Sequence, residues 1–297
     1  MKILTQSLRA CAIALGTCAA LACHAAEPPT AATPTTATPA PPKRTATAGV
    51  SVLTPPLVIP GLNRERTVRL YLPPGYATST KRYPVLYMHD GQNLFDAATA
   101  YAGEWGVDET LDALAKAQGL ELIVVGIDNG GEKRMTELNP WDHERFGKGE
   151  GAQYMDFIVK VVKPQIDAKY RTLPGREATG IMGSSMGGLI SQYAILQYPQ
   201  VFSKAGIFSP AYWPGMAVFD MTAKQRPAPD ARLALYMGGM EGGAVGDYER
   251  MLAQLKAQGH PAANTWSKLT PKAEHNEAAW RAEFDAVVQW LFAPTTP

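Results

Sequence analysis

The stretch Gly183-Ser184-Ser185-Met186-Gly187 is the strongest indication of the fold, because it lies between an apolar strand-like run and a helix-like run. Residues 178–182 have the side chains of a short buried strand, and residues 189–196 have those of a helix. A Gly-x-Ser-x-Gly pentapeptide in this setting is typical of a sharp turn that leaves the middle serine at the open end of a sheet. The glycines leave room for the neighbouring strand and helix. The sequence therefore indicates Ser185 as a candidate nucleophile.

On both sides of this turn, strand-like runs alternate with helix-like runs. The predicted strands cover residues 67–72, 83–88, 120–127, 205–208, 233–236 and 265–269, and the predicted helices cover residues 107–117, 154–166, 248–257 and 276–292. This alternation predicts an α/β fold, with a mostly parallel central sheet and helices on both faces. Right-handed crossovers bring the carboxyl ends of parallel strands to one edge, where we expect Ser185.

A single domain without a large cap is predicted over residues 51–297, and the preceding residues have a different composition. Lys2 and Arg9 precede an apolar stretch at residues 10–22, which has the length of a signal peptide rather than of a membrane span. We predict a signal peptide over residues 1–26 and a Pro/Thr/Ala-rich disordered linker over residues 27–50. The mature protein is therefore predicted to be periplasmic or secreted by a bacterium, with no transmembrane span.

The cysteines and the charge narrow the classes of partner. All three cysteines, including Cys23, fall in the predicted signal peptide, so the domain has no predicted disulfide, thiol nucleophile or Cys-based metal site. A second interpretation stays open, because residues 20–23 loosely resemble a lipoprotein processing site that would give Cys23 a lipid anchor. The net charge is +1 and the basic residues are scattered, which argues against a nucleic-acid partner. No metal or cofactor is predicted.

A serine hydroxyl needs a neighbouring base, and chain order narrows the choice among the five histidines. At a turn of this kind, the order along the chain is serine, then carboxylate, then histidine. His260 and His275 follow Ser185. His275 comes just after the last predicted strand, at the edge shared with Ser185, whereas His260 precedes that strand and is expected at the opposite edge. We predict His275 as the base and keep His260 as the alternative.

The carboxylate that orients the histidine is expected just after the predicted strand 233–236. Glu241 is the first carboxylate after this strand and lies in a Gly-rich turn. Asp247 is the alternative, although its position suggests the N-cap of the next helix. Asp220 fits less well because it precedes the strand. We therefore predict Glu241 as the acid.

Two backbone amides are predicted to stabilise the oxyanion that forms during acyl transfer. One is the amide of Met186, directly after the candidate nucleophile. The other belongs to the loop after the predicted strand 83–88, where Gln92 is the predicted donor and Asn93 the alternative.

Substrate contacts are predicted in the loops near the same edge. The aromatic faces of Trp141, Tyr212 and Trp213 are suited to stacking on a ring, with packing beneath a loop as the competing interpretation. Four basic residues in the same region are suited to an anionic substrate, with an ordinary solvated surface as the competing interpretation. They are Lys133, Arg134, Arg145 and Lys148.

Several motifs, in this order along the chain, resemble the putative esterase family of the α/β-hydrolase superfamily. They are the run 83–96, the turn 183–188, the stretch 209–213 and the terminal group Glu274, His275, Asn276 and Trp280. That family includes enterochelin-type siderophore esterases, feruloyl and acetyl-xylan esterases, S-formylglutathione hydrolase and mycolyltransferases. The resemblance spans about residues 55–293 and implies an α/β-hydrolase fold with a Ser185–Glu241–His275 triad. Many members have Asp where Glu241 stands.

The predicted reaction is hydrolysis of a carboxylic ester through an acyl-enzyme on Ser185. The predicted substrate is a small-molecule or oligosaccharide ester, either a feruloyl or acetyl ester of a sugar or a siderophore ester. Two alternatives stay open: a peptidase or acyltransferase on the same scaffold, and a catalytically inactive cell-envelope binding protein.

Overall fold

An eight-stranded sheet runs through the centre of the protein in the computed structural model, which describes residues 43–293. The strands in these residues are β1 (Val50–Val52), β2 (Leu57–Ile59), β3 (Arg64–Arg66), β4 (Val68–Tyr71), β5 (Val85–His89), β6 (Ile123–Ile127), β7 (Thr179–Ser184), β8 (Lys204–Phe208), β9 (Arg232–Gly238) and β10 (Thr265–Thr270). The order in the large sheet is β1-β4-β6-β5-β7-β8-β9-β10, and β2 pairs with β3 in a separate hairpin. The pairings that join β6, β5, β7, β8, β9 and β10 are all parallel. β4 pairs antiparallel with both of its neighbours, β1 and β6.

Helices cover both faces of this sheet. They are α1 (Val107–Gln118), α2 (Arg134–Glu137), α3 (Gly151–Phe157), α4 (Lys163–Lys169), α5 (Met186–Gln197), α6 (Ala217–Gln225), α7 (Ala244–Ala257) and α8 (Glu277–Phe292). A π-helical segment, Ile158–Val162, joins α3 to α4. The apolar residues of α1 and α8 pack on one face, and those of α3 to α7 pack on the other.

The central strand β5 shows why the sequence has an uninterrupted apolar run. Val85 and Tyr87 face the core beneath α3 to α7, whereas Leu86 and Met88 face the core beneath α1 and α8. All four residues are buried. A strand that is covered on both faces has no solvent-facing side, so its sequence does not alternate between apolar and polar residues.

The predicted α/β class, the mostly parallel sheet and the helices on both faces are confirmed. The three-residue strands β1, β2 and β3 and the helix α6 were not predicted. The stretch 128–153, which none of the predicted strands or helices reaches, contains α2 and the beginning of α3.

The end of the predicted linker belongs to the folded unit. Arg44 Nε donates to Asp96 Oδ2 at 3.0 Å, the Thr47 amide donates to Asp108 Oδ2 at 2.7 Å, and β1 begins at Val50. These contacts correct the linker boundary, because residues 43–50 are held against the sheet and α1. The predicted signal peptide and the rest of the linker lie outside the described residues. Within residues 43–293, none of the helices combines the length and the apolarity needed to cross a bilayer.

Candidate active site

Ser185 lies between β7 and α5 in a backbone conformation that non-glycine residues rarely adopt. Its φ is 58° and its ψ is −121°. The Ser185 amide donates to Phe208 O at 2.9 Å, and its carbonyl accepts from the Ala211 amide at 3.0 Å. The end of β8 and the segment after it therefore hold both the amide and the carbonyl group of Ser185. Strain of this kind persists only where the surroundings fix the backbone, and it is common at functional sites.

The glycines around Ser185 allow the close approach of the strand, the helix and the next loop. A Cβ atom at Gly183 would lie 2.9 Å from the carbonyl carbon of Gly187 and 2.9 Å from the His89 ring. A Cβ atom at Gly188 would lie 2.8 Å from Phe208 O. The turn therefore requires glycine because its neighbours are mostly backbone atoms, which cannot move aside easily.

Glu241 and His275 form a hydrogen bond at this edge of the sheet. His275 Nδ1 lies 2.6 Å from Glu241 Oε2, and the Glu241 side chain is only 2% exposed. Glu241 Oε1 accepts from Ser209 Oγ at 2.6 Å and from the Gly238 amide at 2.9 Å. Burial opposes ionisation, but the hydrogen bonds from His275, Ser209 and Gly238 outweigh it and lower the pKa of Glu241. The arrangement keeps the carboxylate ionised and its orientation fixed.

Ser209 and Trp280 extend this network, although the sequence analysis did not assign them a role. Trp280 Nε1 donates to Ser209 Oγ at 2.9 Å. The Trp280 ring also meets the His275 ring edge to face, with centroids 5.0 Å apart. Both residues were present in the motifs that carried the family resemblance, but their contact joins positions 71 residues apart.

A cavity of about 630 Å³ opens beside Ser185. Its wall includes Gln92, Tyr101, Trp105, Ser185, His275 and Trp280. Ser185 and His275 therefore face the same space. Cavities of this size accommodate a small organic ligand.

The two predicted oxyanion donors come from separate elements near this cavity. Met186 is the first residue of α5, where backbone amides have no partner within the helix. Gln92 lies in the 3₁₀ turn Gly91–Asn93 at the end of β5, and it lines the cavity. The amide of Asn93, the alternative, already donates to Asp90 O at 2.9 Å. The hydrogen-bond pattern therefore favours Gln92 over Asn93.

A polar wall, of which the sequence indicated only Arg134, completes the cavity. Arg134 donates to both carboxylate oxygens of Asp90, at 2.7 and 2.9 Å, and Asn129 Nδ2 donates to Asp90 Oδ1 at 2.6 Å. Burial opposes ionisation of Asp90, but these contacts outweigh it and lower its pKa. Glu277, at the beginning of α8, also lines the cavity and accepts from Asn93 Nδ2 at 3.3 Å. Of the four predicted basic residues, Arg134 lines this cavity.

His260, the alternative base, and His89, which precedes Ser185 in the chain, lie elsewhere in the fold. His260 lies between α7 and β10, at the end of the sheet opposite to Ser185. His89 is buried beneath the turn, where its Nδ1 lies 2.8 Å from Tyr154 Oη. Burial lowers the pKa of His89 to about 4. Neither ring lines the cavity that contains Ser185 and His275.

In residues 43–293, neither alternative carboxylate hydrogen-bonds to His275, whose carboxylate partner is Glu241. Asp247 lies in the first turn of α7, whose N-cap is Gly243, so its predicted N-cap position was wrong. Asp220 lies within α6.

The structure does not bring the three predicted substrate-binding aromatics to the cavity. Tyr212 is buried, its hydroxyl donates to Gln192 Oε1, and its ring packs on Phe219. These contacts place Tyr212 in the core, so its prediction as a substrate contact is wrong. An aromatic residue in a loop near the active edge can point inward as easily as outward, and the local sequence does not distinguish the two.

The other two predicted aromatic residues, Trp141 and Trp213, lie at the surface and outside the cavity lining. Trp141 packs edge to face on Tyr193, with centroids 5.9 Å apart, and lines a separate surface groove. Trp213 is 53% exposed and packs against His143 and Phe146. The aromatic side chains that line the cavity are instead Tyr101, Trp105 and Trp280.

One group of carboxylates in residues 43–293 is close enough to share a cation. It consists of Glu104, Asp108 and Glu109, whose oxygens lie within 4.8 Å of one another. These residues do not line the Ser185 cavity. Acidic groups of this kind also occur without an ion, and the cluster has no place in the chemistry of Ser185.

The profile of a protein family described as "Putative esterase" matches this chain over residues 59–291. The chain belongs to this family. It is an ester hydrolase with a single α/β-hydrolase domain in the described residues, and members of the family are expected to use a serine mechanism.

Two relatives illustrate the range of the sequence matches. Uncharacterized protein YbbA of Bacillus subtilis is 28% identical, and the match covers 77% of this chain and 93% of that protein. Endo-1,4-beta-xylanase/feruloyl esterase of Xylanibacter ruminicola is 24% identical, and the match covers 77% of this chain but 30% of that protein. The second relative is therefore a much longer protein than this domain.

Solved structures show the same fold at low sequence identity. The enterochelin esterase of Shigella flexneri superposes with a TM-score of 0.68 at 18% identity, covering 86% of this chain and 60% of that chain. A ferulic acid esterase superposes with a TM-score of 0.61 at 18% identity, covering 82% of this chain and 98% of that chain.

Proposed function

We propose that this esterase cleaves carboxylic esters through a Ser185–His275–Glu241 triad and an acyl-enzyme intermediate. The observation that carries the proposal is the 2.6 Å contact between His275 Nδ1 and Glu241 Oε2 at the wall of the cavity that contains Ser185. Glu241 holds the imidazole in the tautomer with the proton on Nδ1, so that Nε2 is free to accept a proton. The strained turn at Ser185 supports the same assignment.

In the proposed reaction, His275 Nε2 takes the hydroxyl proton while Ser185 Oγ attacks the ester carbonyl carbon. The tetrahedral oxyanion accepts hydrogen bonds from the amides of Met186 and Gln92. Its collapse breaks the bond to the alcohol oxygen, which receives the proton from His275. Water then enters, gives a proton to His275, attacks the acyl carbon and releases the carboxylic acid with restoration of Ser185.

Replacement of the nucleophile tests this proposal. Ser185→Ala is expected to lower kcat for 4-nitrophenyl acetate by about 10³-fold or more while the circular dichroism spectrum stays unchanged. Ser191→Ala is the matched control, because Ser191 lies in α5, directly after the Ser185 turn, and its hydroxyl donates to Gly187 O within the helix. A Ser185→Ala variant that retains the wild-type rate would contradict the proposed nucleophile.

For the natural substrate, we propose a small-molecule or oligosaccharide ester, with feruloyl or acetyl sugar esters and siderophore esters as candidate classes. The cavity of about 630 Å³, with Trp105 and Trp280 in its wall, supports an ester of this size. Relatives described as a feruloyl esterase and as a siderophore triacetylfusarinine C esterase support the same classes. Comparison of kcat/KM for methyl ferulate, acetylated xylo-oligosaccharides and a siderophore lactone tests which class is preferred.

We also propose that the protein acts outside the bacterial cytoplasm, in the periplasm or the medium. The basic start and the apolar stretch within residues 1–26 support export, and Cys23 offers a site for a lipid anchor. Fractionation of cells that express the full chain tests the location. Comparison with Cys23→Ala tests the anchor, because only a lipidated protein would move from the membrane fraction to the soluble fraction.

A further inference from the structure

Glu277 is a buried carboxylate beside the proposed triad that lacks a full set of protein donors. It is 8% exposed and stands two positions after His275, at the first residue of α8. Asn93 Nδ2 donates to Oε1 at 3.3 Å, and no other residue in the described part of the chain hydrogen-bonds to this carboxylate. The carboxylate lines the cavity, so Oε2 is accessible to a molecule bound there. The free oxygen is therefore suited to a donor on a bound molecule.

The position of Glu277 is fixed by its neighbours. Asn93 bridges Glu277 and the cavity rim, because its Oδ1 also accepts from the Tyr101 amide at 3.0 Å. Gly103 lies against Glu277, and a Cβ atom at Gly103 would lie 3.2 Å from Glu277 Cβ. A negative charge is favourable at a helix N-terminus, but an exposed carboxylate would satisfy that preference equally well. The helix N-terminus alone therefore does not explain why Glu277 is buried in the cavity wall.

A hydrogen-bond donor, Arg134, lines the same cavity. Arg134 uses Nε and Nη2 to bind Asp90, whereas Nη1 makes no hydrogen bond to the part of the chain that the structure describes. The cavity therefore offers a free acceptor at Glu277 and a free donor at Arg134. Neighbouring hydroxyl groups of a polyol can satisfy both, because each hydroxyl donates one hydrogen bond and accepts others.

The charges of the wall favour an uncharged group over an anion. Asp90 neutralises Arg134, so Glu277 and Glu132 leave the lining with an excess of negative charge. Burial and the charge of Asp90 raise the pKa of Glu277, which reflects how poorly the site tolerates further negative charge. A like charge placed against a buried carboxylate is unfavourable and suppresses binding of the wrong partner.

We infer that Glu277 and Arg134 form a subsite for an uncharged, hydroxyl-bearing group of the ester, such as a sugar, and that Glu277 excludes anionic esters. This inference rests on the proposed ester hydrolysis and specifies which of its substrate classes the cavity accepts. Glu277 acts as a specificity-determining residue, since its carboxylate binds the substrate hydroxyl but takes no part in the transfer of the acyl group.

Two acetate esters that differ in one charge test the subsite. They are monoacetylated methyl xyloside, which is neutral, and monoacetylated methyl glucuronoside, which carries a carboxylate. The wild type is expected to prefer the neutral ester in kcat/KM by about tenfold or more. Glu277→Gln is expected to reduce this preference about tenfold, mainly through a higher KM for the neutral ester and a lower KM for the anionic one.

The matched control is Glu274→Gln, which removes an exposed negative charge one residue before His275 and outside the cavity lining. It is expected to keep the wild-type preference. If Glu277→Gln fails to fold, Glu277→Asp provides the test: it keeps the charge but withdraws the acceptor. This variant should lose affinity for the neutral ester and still reject the anionic one.

The possible failures are distinguishable. If the wild type hydrolyses 4-nitrophenyl acetate but neither glycoside, or if Glu277→Gln keeps the wild-type preference, the subsite is overturned while the proposed triad stands. If the wild type hydrolyses none of these esters and Ser185 does not react with a fluorophosphonate, the proposed function and the subsite both fail.

Discussion

Ser209 Oγ donates a hydrogen bond to Glu241 Oε1 at 2.6 Å, from a residue whose backbone is held at a φ of 41°. Ser209 directly follows β8, and Trp280 Nε1 donates to the same hydroxyl oxygen at 2.9 Å. The donor from Trp280 occupies one lone pair and leaves the hydroxyl proton directed at Glu241. We therefore propose Ser209 as a positioning residue, which acts on His275 through the carboxylate of Glu241.

Ser209→Ala is expected to lower kcat/KM for 4-nitrophenyl acetate about tenfold, the effect of one hydrogen bond of roughly 1.4 kcal/mol. The variant also removes a donor that lowers the pKa of Glu241, so this pKa should rise. The acid limb of the profile of kcat/KM against pH should therefore move to higher pH. Steady-state kinetics between pH 4 and pH 8 measures both effects.

The control for Ser209 lies at the other end of the same strand. Ser203 directly precedes β8 and is also buried, and its hydroxyl donates to Arg176 O at 2.7 Å. Ser203→Ala should destabilise the fold by a similar amount, about 1 kcal/mol, without moving the pH profile. An unchanged profile in Ser209→Ala, or an equal shift in Ser203→Ala, would show that Ser209 has no positioning role.

The identity of the triad acid can be tested with two isosteric variants. Glu241→Gln replaces the acceptor at 2.6 Å from His275 Nδ1 with an amide, so it should stabilise the wrong tautomer and lower kcat by about 10³-fold. Asp247→Asn, in the first turn of α7, should keep the wild-type kcat. The opposite ranking of the two kcat values would transfer the role of the acid to Asp247.

Gly→Ala substitutions at two helical positions should have opposite effects on stability, because Gly188 is closely packed beside the Ser185 turn and Gly246 is not. At Gly188, the new Cβ would lie 2.8 Å from Phe208 O, so Gly188→Ala should destabilise the fold by about 1–3 kcal/mol. At Gly246 in α7, a Cβ meets no atom within 4 Å, so Gly246→Ala should stabilise by about 0.5–1 kcal/mol. Urea denaturation measures both, and a stable Gly188→Ala variant would contradict the described packing.

The buried carboxylate of Asp108 predicts a pH-dependent stability. Burial raises the pKa of Asp108 to about 7, above its ordinary value of 3.8. The folded state therefore binds this proton more tightly than the unfolded state, and stability declines as the pH rises between these values. Asp108→Asn should raise Tm by about 2–4 °C at pH 8, and by less at pH 5.

Thermal unfolding of Asp108→Asn and of the exposed-site control Glu249→Gln at both pH values checks this sign. Asparagine keeps an oxygen that can accept from the Thr47 amide, so the contact with residues 43–50 is preserved. A Tm gain that is equal at pH 5 and pH 8 would contradict a raised pKa for Asp108.

The sequence predicted the parts of the site that depend on chain order and strand direction. The run at residues 83–88 and the turn around Ser185 indicated parallel strands with a common carboxyl edge, and this edge places His275 apart from His260. Glu241 followed from the same argument, because the first carboxylate after a parallel strand lies at that edge. Such relations need only the order of elements and the handedness of their connections.

The sequence could not predict contacts that depend on where individual side chains point. Tyr212 and Trp213 are adjacent, yet the first is buried in the core and the second is exposed. The Ser209–Trp280 contact joins the loop after β8 to helix α8, 71 residues further along the chain, so no local sequence pattern predicts it. A signal for Glu277 was present, since it follows His275 by two positions, but its burial became evident only when α8 was placed against the cavity.

We propose that His275 and Glu241 make the hydroxyl of Ser185 reactive, and fluorophosphonate labelling followed by peptide mass spectrometry measures that reactivity. This proposal predicts one rapid adduct, on Ser185, whose formation slows by about 10³-fold in His275→Ala and is unchanged in His260→Ala. An adduct on a different serine, or labelling of Ser185 at the wild-type rate without His275, would contradict it.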